Sequence, residues 1–60
     1  MRSYKMNITS AQYIQSDGTN HSIRIIVNGI SSDVPMDTDN TDYQAILEWV
    51  AEGNTIADAD

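Results

Sequence analysis

Apolar and polar residues alternate along three runs of this 60-residue chain and then change period once. Between Lys5 and Gln15 the alternation is broken. Met6 and Ile8 share one face, and Ala11 and Tyr13 continue it only if one extra residue is accommodated near Thr9 and Ser10, as a β-bulge would do. Asp17-Gly18 within SDGTN supplies a turn, since both residues tolerate the positive φ of tight hairpins. The run HSIRIIVNGI puts Ile23, Ile25 and Val27 on one face and Ser22, Arg24, Ile26 and Asn28 on the other. Asn28-Gly29 then predicts a type I′ hairpin, because both central positions of that turn need positive φ. ISSDVPMD reads as a short third strand with Ile30, Ser32, Val34 and Met36 on one face. Pro35 has no N–H for a ladder, so this strand lies at an edge or stops there.

The period shifts to that of a helix in NTDYQAILEWVAEGNT. Asn40 or Thr41 can cap its start, Asp42 favours the positive end of the helix dipole, and Thr41 with Gln44 matches a capping box. Tyr43, Ile46, Leu47 and Val50 follow at i, i+3, i+4 and i+7, with Trp49 at the flank of their stripe. Gly53 offers the left-handed position that ends many helices. The whole predicts an α+β fold, a three-stranded antiparallel β-meander with one C-terminal helix packed on one sheet face. A single small domain spans 1–60, with strands at about 4–15, 21–28 and 30–36, a helix at about 41–52 and a loose acidic tail at 54–60. The expected core is Ile23, Ile25, Val27, Val34, Tyr43, Ile46, Leu47 and Val50, and Ile56 is placed to fold back onto the last helical turn.

A chain of this length buries only about 60% of the surface it exposes when unfolded. It has no cysteine, so disulfides and thiolate metal sites are excluded, and association becomes one way to add buried surface. Three basic against nine acidic residues give a net charge of -6. Arg2, Lys5 and Arg24 lie early, and from Asp33 onward there are eight acids and no base. Direct nucleic-acid binding rests on cationic side chains and is not expected. No apolar run is long enough for a membrane span or a signal-peptide core.

Candidate chemistry is thin. Asp37, Asp39, Thr41 and Glu48 fall at positions 1, 3, 5 and 12 of a calcium-loop spacing, but position 6 is Asp42 where the turn needs Gly, and the helix claims the same residues. These acids read as caps and turn residues, with no metal. His21 is the only histidine, and no serine has an identifiable base, so neither catalysis nor a cofactor is expected. Tyr4, Tyr13 and Ile26 on an uncovered sheet face, with Trp49 at its margin, are the candidate interface, expected to be apolar and aromatic more than electrostatic.

KMNITSAQYIQ near the start and NTDYQAILEWVAEGNTIADAD at the end resemble small proteins of tailed bacteriophages, in which an Asn-x-x-Tyr-Gln segment leads into Leu-x-Trp-x-x-x-Gly-Asn-Thr. The positions that carry the likeness are Asn40, Tyr43, Gln44, Leu47, Trp49, Gly53, Asn54 and Thr55. Ile56 stands where many such proteins have Pro. The resemblance implies a virion- or tail-associated protein without catalytic activity, found in the virion or the infected-host cytoplasm. Its expected partner is another phage structural protein or a second copy. A small acidic regulator or inhibitor that binds a basic host protein is the other reading.

Overall fold

The computed structural model describes residues 6–60. Strands β1 (Ile8–Ser16), β2 (Thr19–Val27) and β3 (Ile30–Pro35) form one antiparallel sheet in the order β1-β2-β3, and helix α1 (Thr41–Ala51) follows. Both hairpins turn where the residue chemistry places them. Asp17 and Gly18 have φ of 54° and 77°, and Asn28 and Gly29 have 53° and 81°, the doubly positive pattern of a type I′ turn. Its twist matches that of the flanking strands, so the turns hold the register as well as reverse the chain.

The register carries two irregularities. Ile8 pairs with Val27 and Ser10 with Ile26, so Thr9 is an extra residue on β1, as the broken alternation predicts. Ile14 pairs with Ser22 and Gln15 with Asn20, so His21 is an extra residue on β2, which the apolar pattern does not signal. The first bulge keeps Ile8, Ala11 and Tyr13 on the face of Ile23 and Ile25.

That face and one side of α1 enclose the core. Ile8, Ala11, Ile23, Ile25, Val34, Ala45 and Ile46 are buried, and Met6, Tyr13, Val27, Tyr43, Trp49 and Ile56 pack around them. The helix, which packs against β3, is rotated from the expected setting. Leu47 is 45% exposed, whereas Ala45 is buried and Trp49 packs on the core. Adding Ala45 and Trp49 to the Tyr43-Ile46-Leu47-Val50 stripe gives an apolar arc wider than a three-stranded sheet can cover. The small Ala45 permits close approach, and the indole buries more surface than a leucine, so the contact shifts toward that flank.

Asn40 is the N-cap. Its φ and ψ are -87° and 123°, and its Oδ1 accepts from the Tyr43 N–H at 3.0 Å. The capping box does not form, because the Gln44 amide donates to the Thr38 carbonyl at 2.7 Å instead. At the other end Gly53, with φ of 108°, donates to the Val50 carbonyl at 3.0 Å, and the Asn54 side chain donates to that of Trp49 at 2.7 Å.

Residues 54–60 form a strap along β1. The Tyr13 N–H donates to the Ala57 carbonyl at 3.0 Å, and the Ala57 N–H donates to the Ala11 carbonyl at 2.9 Å, making a parallel bridge. Gln12 Nε2 donates to the Asp58 carbonyl at 3.0 Å and to Asp60 Oδ1 at 3.1 Å. Ile56 packs against the core, so one apolar side chain and the unmet hydrogen-bonding groups of a sheet edge together hold the segment.

Candidate interaction surface

The sheet face away from α1 is mostly polar, with Ile26 at its centre and Ile14 and Pro35 in the row Ile14, Ser22, Pro35 toward the first turn. Ile26, 37% exposed, lies between Ser10 and Ser31 in the paired register, and the next row runs Gln12, Arg24, Asp33. Arg24 Nε donates to Asp33 Oδ1 at 3.0 Å. This hydrogen bond, and then the charge of the carboxylate, raise the Arg24 guanidinium above its ordinary pKa. Both side chains are open to water, so the pair orients Arg24 more than it stabilises the fold. Beside it Ser10, Gln12, Ile26 and Ala57 line a shallow hollow.

Of the four expected interface residues, Ile26 alone is seen on this face. Tyr13 pairs with Ile23 and packs on the core side, because the bulge at Thr9 that carries Ala11 inward carries Tyr13 with it. Trp49 packs on the core through the helix rotation, and Tyr4 lies outside the described residues. The aromatic patch expected there is therefore not assembled by the described residues. Large apolar side chains are exposed at Ile26, Ile30, Met36 and Leu47, with Ile30 the most open at 68%.

The two edges of the sheet differ. Tyr13 sends its N–H outward to Ala57, so its partner Ile23 directs its own backbone groups toward Val34. The same alternation starts at the Val27–Ile30 pair that closes the second turn. It leaves the N–H and C=O of Ser31 and Asp33 pointing away from β2, together with the nitrogen of Pro35, where the missing N–H costs nothing. The Pro35 carbonyl accepts from the Asp37 N–H at 2.9 Å. Among the described residues, the strap bonds the outer edge of β1 at Ala11 and Tyr13, and no backbone partner meets the outward groups of Ser31 and Asp33 on β3.

The acids beyond β3 serve the chain's own geometry. Asp37 Oδ1 accepts from the Asp39 N–H at 2.9 Å, the Asp37 carbonyl accepts from the Asn40 N–H at 2.9 Å, and Asp42 stands in the first helical turn. Among the described residues, no group of three His, Cys, Asp or Glu side chains is placed to hold a metal ion. His21 Nδ1 lies 2.8 Å from Ser22 Oγ on exposed strand surface. No helix among the described residues is long and apolar enough to cross a membrane. Comparison of the chain with protein-family models, with curated proteins and with solved structures returns no match.

Proposed function

We propose that this chain is a non-catalytic interaction module of a tailed phage, associated with the virion or tail, which acts by contact with another protein. The observation that carries the contact reading is the outer edge of β3, unpaired among the described residues, beside the exposed Ile30, in a sheet whose opposite edge is bonded by its own strap at Ala11 and Tyr13. A row of free backbone donors and acceptors is a template for a further strand, which gives a small domain a way to bury more surface. The phage setting rests on the Asn40-to-Thr55 resemblance.

The second reading, an acidic regulator on a basic host protein, is favoured by one observation. Arg24, the one Lys or Arg among the described residues, is already paired with Asp33, so the described surface presents uncompensated carboxylates. Mass spectrometry of purified particles beside the soluble fraction of infected cells separates the two. Enrichment in particles is the expected result. Recovery only in the soluble fraction, in complex with a basic host protein, would replace the structural reading with the regulatory one.

A further inference from the structure

Resting on the interaction reading above, we infer that β3 is a strand-addition site for an extended, lysine- or arginine-bearing segment of a partner protein. The incoming strand pairs with the outward N–H and C=O groups of Ser31 and Asp33. Three features define what fits. The first is backbone parity: Ser31 and Asp33 present alternate donors and acceptors at the spacing of a ladder, and Pro35 ends the row. The second is side-chain parity: alternate residues of an added strand fall beside Ile30 on the core side and beside Asp33 on the opposite face. An apolar side chain suits the first position and a cation the second.

The third feature is charge, which separates a partner from a second copy. Two β3 strands paired antiparallel would bring Asp33 near its own counterpart and join two chains of net charge -6. Asp37 and Asp39 follow directly beyond the strand and add to that repulsion. A basic segment turns the repulsion from Asp37, Asp39 and the net charge into attraction, and at Asp33 it shares the carboxylate with Arg24.

The test uses a short synthetic peptide of alternating lysine and valine, titrated into the intact chain while backbone amide shifts are followed by NMR. Shifts centred on Ser31 to Asp33, with slowed exchange of those two amides, are expected. N-methylation of alternate peptide bonds, which leaves the peptide's charge unchanged, should weaken binding roughly tenfold or more by deleting ladder bonds. Replacing lysine with glutamate should abolish it. Ser31→Pro removes one outward donor while leaving the bonds to β2 in place, and should weaken binding in a chain that still melts cooperatively. Equal binding of the N-methylated peptide would overturn the proposal in favour of charge alone. So would shifts centred on β1 or on the start of α1, or dimerisation of the free chain through β3. Enrichment in particles without peptide binding would remove only the strand-addition site; peptide binding by a chain absent from particles would remove only the structural role.

Discussion

Ile46 and Leu47 are neighbours in one helical turn with almost the same apolar volume, yet they are 0% and 45% exposed. Ile46→Ala should cost roughly 2–5 kcal/mol, because the surrounding core cannot close over the space, whereas Leu47→Ala should cost less than about 1 kcal/mol. Urea unfolding midpoints measure both, and a Leu47 loss as large as that of Ile46 would contradict the helix rotation. Periodicity made the stripe legible but not its setting, since Tyr43, Ile46, Leu47 and Val50 satisfy the same pattern as Ala45, Ile46 and Trp49. Tyr13 lies on the core face that the extra residue at Thr9 assigns to it, and a residue on that face is not available to the uncovered side. The acids give a residue-scale prediction of their own. Asp37 accepts from the Asp39 N–H and Asp42 stands in the first helical turn, so millimolar calcium should leave Tm unchanged. A ligand specific for the native state would raise it by mass action, and a rise of many degrees would restore a metal role.

Local chemistry decides most of the elements. The two type I′ turns follow from Asp-Gly and Asn-Gly, and the helix limits follow from Asn40 and Gly53, so these features could be read from a few residues each. Asn40→Ala should therefore destabilise the domain by about 1 kcal/mol, and Thr41→Ala by much less, since Asn40 alone satisfies the Tyr43 N–H. Thermal unfolding of the two variants checks the assignment, and a larger effect at Thr41 would move the cap. The bulge at His21 left no mark because the residues it separates are polar or exposed. The strap left little more than Ile56, a single apolar residue with no period around it. Its pairing to β1 depends on a distant edge that a local pattern does not contain.

Among the described residues, one three-stranded sheet has a covered face, a mostly polar face, one edge bonded in part by the strap and one edge left open. Deleting residues 55–60 should lower Tm and free the outer edge of β1, so that sedimentation velocity shows more self-association than in the intact chain. A truncated chain as stable and as monomeric as its parent would show that the strap contributes nothing. The strap also gives the molecule two clocks. Each hairpin closes across a two-residue turn, but the Gln12–Asp58 contact joins residues 46 apart, and the entropy lost on closing a loop grows with its length. Hairpins and a helix of this size form within microseconds, so the strap is the last part to settle and the first to lift. The Tyr13 amide, bonded to Ala57, should then exchange through strap opening alone and respond weakly to denaturant, while the Ile23 amide waits for global unfolding. Equal exchange free energies at the two sites would mean that strap and sheet open as one unit.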